Sequence, residues 1–201
     1  MLVPVSFYFL RHGETDWNRR RVMQGHRDIA LNARGIEQAR EVAPAVAKLP
    51  IASICCSTLM RAKATAEIVN TRGLALTIID DLKECGFGIY EGQDAGGPWR
   101  EGWRNGEAIP GGESLAEYST RLLRGFNAAL AKPGPVLIVG HGGSVWPLEK
   151  FAGIATGLRI ANCALFRFDP PKSDNAPWTY TTLAEPASPS VAIGEAQPSA
   201  L

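Results

Sequence analysis

Four short segments of this chain hold residues able to do chemistry together. Arg11-His12-Gly13-Glu14-Thr15 follows one apolar run, and Ser57-Thr58-Leu59-Met60-Arg61-Ala62 follows a second. Glu84 lies beyond a third, and Gly140-His141-Gly142-Gly143 follows a fourth. Two imidazoles and two guanidiniums with glycines beside them can surround a phosphoryl group. The planar fork of arginine offers paired donors to phosphate oxygens, and glycine lets backbone N–H groups approach an anion closely. A neutral histidine can attack phosphorus in line and form an N–P bond, dividing one difficult displacement into two easier ones. Neighbouring positive charge lowers a histidine's pKa and favours that neutral form. A carboxyl such as Glu84 can then protonate the leaving alkoxide and later activate water.

Taken singly, each residue has an ordinary explanation. A histidine after a strand is usually structural, a helical Arg61 can be solvated, and carboxylates such as Glu84 are mostly exposed. The chain has three histidines, His12, His26 and His141, and two of them fall at the ends of apolar runs. Arg19-Arg20-Arg21 reads as a solvated face. Trp99 and Trp103, four apart, suit core packing as well as a substrate wall.

The elements that must position these residues are legible as apolar patterns. Runs rich in β-branched and aromatic residues at Val3–Leu10, Ile51–Cys56, Leu74–Ile79, Val136–Val139 and Cys163–Phe168 predict strands, with Trp178–Leu183 as an edge strand. Continuous apolarity suits strands covered on both faces. Helical stripes run through Ile36, Ala39, Val42, Val46 and Leu49, where Pro44 is expected to bend or interrupt the segment. Two more run through Leu59, Ala62, Ala66 and Val69, and through Leu115, Tyr118, Leu122, Phe126 and Ala129, the last with Ser114 and Glu117 as a capping box. Alternating strands and helices predict a single α/β domain over residues 1–183, with a mostly parallel central sheet and helices on both faces. In such sheets ligands bind outside the carboxyl ends of the strands, so the four segments should converge on one crevice. The glycine-rich stretch 86–114 is long for a connection and predicts a binding loop or lid, with Tyr90, Trp99, Arg100, Trp103 and Arg104 as its candidate contacts. Residues 184–201, rich in Ala, Pro and Ser, predict a mobile tail.

Composition narrows the partners. A formal net charge of +1 over 201 residues gives no global field toward nucleic acid or an anionic membrane. The expected partner is a small phosphorylated metabolite. Cys55, Cys56, Cys85 and Cys163 show no zinc-ligand spacing and read as buried reduced thiols. The apolar N-terminus is short, without a basic leader or a small-residue cleavage site, so a cytoplasmic protein is expected.

The motifs form a longer string. After Arg11–Thr15 come Trp17-Asn18, Gln24-Gly25, Asp28, Leu31 and Gly35-x-x-Gln38-Ala39. Ser57-x-Leu59-x-Arg61-Ala62-x-x-Thr65-Ala66, Glu84-x-x-Phe87-Gly88-x-Tyr90-Glu91-Gly92, Gly112-Glu113-Ser114 and Val139-x-His141-Gly142 follow in order. This string resembles the signature of the histidine phosphatase superfamily, which includes the cofactor-dependent phosphoglycerate mutases. The resemblance implies a phosphoglycerate mutase-like fold in which His12 is phosphorylated. Arg11, Arg61 and His141 would bind the phosphoryl group and Asn18 would add a contact. Gln24, Gly25 and Gly142 would lie against phosphate or substrate, and Glu84 would donate and accept the proton. Neither metal nor organic cofactor is implied.

The superfamily holds both phosphatases and mutases. Mutases commonly carry E-R-H-Y-G after the acid/base glutamate and then a long insertion with further arginines. This chain has Glu84-Cys85-Gly86-Phe87-Gly88 and reaches Gly111-Gly112-Glu113-Ser114 soon afterwards, similar to the short-lid bacterial phosphatases. The expectation is a metal-independent phosphomonoester hydrolase. A mutase is the alternative, because Arg100 and Arg104 could supply a second anion site. A non-catalytic phospho-ligand-binding protein is a lesser one, since the nucleophile and the carboxyl are both present.

Overall fold

The structure, a computed structural model, describes residues 1–153, 160–173 and 176–186, with only the backbone of residues 151 and 152. Among the described residues, six strands and six helices follow in the order β1 (Phe7–Arg11), α1 (Asp16–Arg19), α2 (Ala33–Ala47), β2 (Ser53–Cys56), α3 (Met60–Val69), β3 (Ala75–Ile78), α4 (Trp99–Arg104), α5 (Leu115–Leu130), β4 (Val136–Gly140), α6 (Val145–Ala152), β5 (Leu165–Asp169) and β6 (Thr179–Ala184). The strands form one sheet in the order β3-β2-β4-β1-β5-β6. The first four run parallel, and β5 and β6 add an antiparallel edge. The fold is thus a single α/β domain with a mixed, mostly parallel sheet.

The sheet separates two apolar layers because successive side chains of a strand face opposite ways. Phe7 and Phe9 of β1, Ile138 of β4 and Phe166 and Phe168 of β5 pack with Tyr118, Leu122 and Phe126 of α5 on one face. Tyr8, Leu10, Ile54, Leu137 and Val139 pack with Ala39, Val42 and Val46 of α2 and Ala62, Ala66 and Val69 of α3 on the other. Every residue of β2 and β4 is buried, as continuous apolarity requires. β6 is exposed along most of its length, as an edge strand must be.

Several boundaries differ from the sequence pattern. β1 starts at Phe7, since Pro4 has no N–H to give a ladder and Val3 and Val5 are exposed. The helix that Pro44 is expected to bend or interrupt is not interrupted there and continues to Ala47. Val42, Ala43 and Val46 are buried around the proline, and the last turn closes through Lys48 N–H on Ala45 O and Leu49 N–H on Val46 O. Ala184 belongs to β6 and pairs with Leu165, so the expected tail does not begin there; residues 187–201 lie outside the described residues. All four cysteines are free and buried. Among the described residues no helix is long and apolar enough to cross a membrane.

Candidate active site

Strand register brings the two histidines together. In the parallel β1–β4 pair Arg11 lies opposite Gly140, so His12 and His141 leave the sheet side by side. His12 N–H donates to Gly140 O at 3.0 Å, and the two ring centroids are 5.2 Å apart. Cys56 lies opposite Val139, which sets Ser57 beside the same point; its hydroxyl is 2.7 Å from His141 Nε2. Arg61 enters from the first turn of α3 and is 1 % exposed. Its Nη2 and Nη1 donate to Gly25 O and Arg27 O, both at 2.9 Å, so the loop after α1 aims the guanidinium. Arg11 Nη1 donates to Ile160 O at 2.7 Å.

These contacts fix which imidazole nitrogen is free. His12 Nδ1 lies 2.7 Å from Gly13 O. A carbonyl only accepts, so Nδ1 carries the proton and Nε2 holds the lone pair. Burial lowers the His12 pKa well below 6.5, and the charges of Arg61 and Arg11 lower it further. His141 is lowered in the same way, by burial first and then by Arg61. Both rings are neutral near pH 7. When Ser57 donates its hydroxyl proton to Nε2, the N–H of His141 sits on Nδ1.

Among the described residues, three buried nitrogens at this point have no hydrogen-bond partner: Arg11 Nε, Arg61 Nε and His141 Nδ1. Leaving a buried donor unmade costs about 1–3 kcal/mol, and natural interiors rarely tolerate it. Both guanidiniums act electrostatically on His12. The set is therefore complementary to an anion seated beside the His12 ring. Burial also lowers the Arg61 pKa, to about 10, and it remains cationic at neutral pH.

Glu84 faces this pocket after a one-turn 3₁₀ helix over Asp80–Leu82. Its Oε1 accepts from Cys85 N–H at 2.9 Å and from the Tyr118 hydroxyl at 3.1 Å. Its Oε2 accepts from Gly143 N–H at 3.0 Å, which leaves a lone pair on that oxygen for a transferable proton. A Cβ at Gly143 would stand 2.1 Å from Glu84 Oε1, so a larger residue there would displace the carboxylate. The backbone of Glu84 is held as well: Arg121 Nη2 donates to its carbonyl at 3.0 Å, and a ring nitrogen of His26 does so at 2.9 Å.

A cleft of about 1430 Å3 opens above this floor. Arg11, His12, Asn18, Gln24, Gly25, Arg61, Glu84 and Gly142 line it, as do Arg100 and Arg104. His141 is fully buried, beside His12 and off the cleft surface. Asn18 Oδ1 closes the capping box of α1 with Thr15, and Gln24 Oε1 accepts from Thr15 Oγ1 at 3.0 Å. Three of the candidate lid aromatics turn out to pack rather than face the cleft. Tyr90 and Trp99 stack on each other at 4.4 Å. Trp103 is 2 % exposed and donates from Nε1 to Glu113 O at 2.9 Å.

Sequence reasoning missed four participants. Tyr118 was visible only as a core residue of α5, yet its hydroxyl reaches Glu84. Asn162 Nδ2 donates to His12 O at 2.9 Å and to Asn18 Oδ1 at 3.2 Å. Arg121 braces the Glu84 backbone, and Trp146 lines the cleft from α6. For Tyr118 a signal existed, a hydroxyl on an otherwise apolar stripe.

This sheet order, with paired histidines and a neighbouring carboxyl at the strand ends, can be set beside known families. The chain belongs to the histidine phosphatase superfamily (branch 1), whose model matches residues 7–174. It is 34% identical over 192 residues to the probable phosphoglycerate mutase GpmB of Erwinia tasmaniensis, covering 87% of each chain. The phosphoglycerate mutase from Thermus thermophilus superposes with a TM-score of 0.71 at 28% identity, covering 90% of this chain and 99% of that one. A mycobacterial glucosyl-3-phosphoglycerate phosphatase in complex with VO3 superposes with a TM-score of 0.74 at 26% identity, covering 88% and 97%.

Proposed function

We propose that this protein is a phosphatase that hydrolyses a small phosphomonoester through a phosphohistidine at His12. The observation that carries the proposal is that Arg11 and Arg61, whose charges act on His12, and the neighbouring His141 each keep a buried nitrogen without a hydrogen-bond partner, beside an imidazole whose Nε2 lone pair is free. Arg11, Arg61 and His141 hold the phosphoryl oxygens. His12 Nε2 attacks phosphorus while the P–O bond to the alcohol breaks, and Glu84 gives its proton to the departing oxygen. Water then enters, Glu84 takes one of its protons, and the new P–O bond displaces His12 with its electron pair restored. The fixed N–H donors meet the charge that grows on the phosphoryl oxygens, without reorganising. The breadth of the cleft beside Glu84 supports water as the second acceptor.

The names of the GpmB relatives and of the Thermus structure favour a second reading, in which a bound phosphoglycerate takes the phosphoryl group from His12 instead of water. Phosphate release from p-nitrophenyl phosphate, with an acid-labile, base-stable phosphoryl group trapped on His12, tests the mechanism. Phosphate captured on a serine or cysteine would end it. Rapid interconversion of 2- and 3-phosphoglycerate with little phosphate release would select the mutase.

A further inference from the structure

The contacts of Asn18 decide which end of its amide meets the cleft. Its Oδ1 accepts from the backbone N–H of Thr15 at 3.2 Å, the return bond of the α1 capping box. It also accepts from Asn162 Nδ2 at 3.2 Å. The Asn162 amide is itself settled by its other contact, the carbonyl of His12 at 2.9 Å: a carbonyl only accepts, so the atom facing it is Nδ2. With one hydrogen on His12 O and the other on Asn18 Oδ1, Asn162 requires Asn18 to present its oxygen inward. Among the described residues no acceptor takes Asn18 Nδ2, and Asn18 lines the cleft with Arg11, His12 and Arg61. Its amide hydrogens are therefore left to the cleft.

Asn162 stands behind Asn18 and off the cleft wall. Asparagines in turns commonly bond backbone groups a residue or two away; Asn162 instead reaches residues 150 and 144 positions earlier in the chain. The turn that carries it is pinned to the end of β1. Cys163 N–H donates to Arg11 O at 3.0 Å, and Arg11 N–H donates to Ala164 O at 3.3 Å. Cys163 takes a φ of 55°, in the left-handed region that a residue with a Cβ seldom occupies. That backbone cost falls directly beside Asn162 and behind His12, as strain held by a functional site does.

Resting on the assignment of His12 as phosphoryl acceptor, we propose that Asn162 is a positioning residue: by holding His12 O and Asn18 Oδ1 together, it aims the Asn18 NH2 at the phosphoryl oxygens beside the His12 ring. A flipped Asn18 would set its NH2 against two donors, Thr15 N–H and the Asn162 NH2, and would point its carbonyl oxygen at an anion. In the held orientation the same amide gives a charge-assisted hydrogen bond, the strong kind. Asn162 touches no substrate and acts through its neighbour.

The test joins a double-mutant cycle on Asn18 and Asn162 to side-chain amide NMR of protein labelled with 15N-asparagine. Asn18→Ala and Asn162→Ala should each lower kcat/KM for p-nitrophenyl phosphate by about tenfold. The double variant should fall far short of the product of the two losses and lie close to Asn18→Ala alone, because Asn162 has nothing left to aim. In the native protein vanadate should shift the Asn18 NH2 resonances, and in Asn162→Ala that shift should shrink while vanadate still binds. Native kcat/KM in Asn162→Ala, losses that multiply, or Asn18 NH2 signals in the native protein that ignore bound vanadate overturn the proposal. The last of these needs no variant, so it decides the matter even if Asn162→Ala does not fold. Turnover of p-nitrophenyl phosphate by the native protein reports on the phosphohistidine mechanism separately; turnover alongside multiplying losses would retire the role of Asn162 and leave the mechanism standing.

Discussion

The floor of the cleft and its outer wall are made from different kinds of chain. The floor is the set of strand ends β1, β2 and β4, whose ladder positions fix His12, Ser57 and His141 to within the tolerance of a hydrogen bond. Its charged groups are buried and held by backbone carbonyls, as Arg61 is by Gly25 and Arg27. The outer wall is a six-residue helix and the loops around it, fastened by aromatic packing and by Trp103 to Glu113 O. Its charges are partly exposed and lean on Trp146. A rigid floor suits chemistry common to many substrates, whereas a wall built on loops can change its choice of substrate without disturbing that chemistry.

The comparison breaks most sharply at His12. His12→Ala should remove turnover of every ester by about 10⁴-fold or more, since among the described residues His12 is the one histidine that lines the cleft; measurable burst or steady-state phosphate release would refute the division. Arg61→Gln comes next, with an expected loss of about 10²–10³ in kcat/KM that is equal for all leaving groups. A loss that varied with the leaving group would move Arg61 to the other side of the comparison. Glu84→Gln should depress alkyl phosphates about tenfold more than p-nitrophenyl phosphate, because a basic alkoxide needs the proton and nitrophenolate does not. Equal losses in kcat/KM would remove Glu84 from the leaving-group role.

The smallest effect is on stability. His12 and His141 both have folded-state pKa values well below 6.5, so on acidification the unfolded chain takes up protons first. Their contribution is complete above about pH 6.5–7 and declines as pH falls through the unfolded value toward the lower folded values. Thermal unfolding should show Tm falling over this range, with a shallower slope in the His12→Gln/His141→Gln variant. An unchanged slope would mean that the floor does not bury its histidines neutral.

Legibility in the sequence follows the same division. The floor was readable because strands announce themselves by apolar runs and the residues after them are then constrained by topology. The capping box at Ser114 and Glu117 was equally plain, and it forms. The wall was not. Trp99 and Trp103 fit packing and binding by the same i,i+4 spacing, and only the fold shows them turned inward. α6 was hidden by Gly142-Gly143 and Pro147, yet Pro147 occupies its first turn, where the missing N–H has no partner to lose. Asn162 lies far from His12 in sequence, and no local pattern ties the two together.

The sheet order also has a timetable. β1 lies between β4 and β5, so both of its partners are made after residue 135. A nascent chain that stops short of Val136 already contains His12, but its first strand is without neighbours and its apolar faces are only partly covered. At ribosomal speeds of about 5–20 residues per second that interval is on the order of ten seconds. During it the chain depends on chaperones or on its own collapse, and a fragment truncated there would aggregate rather than catalyse.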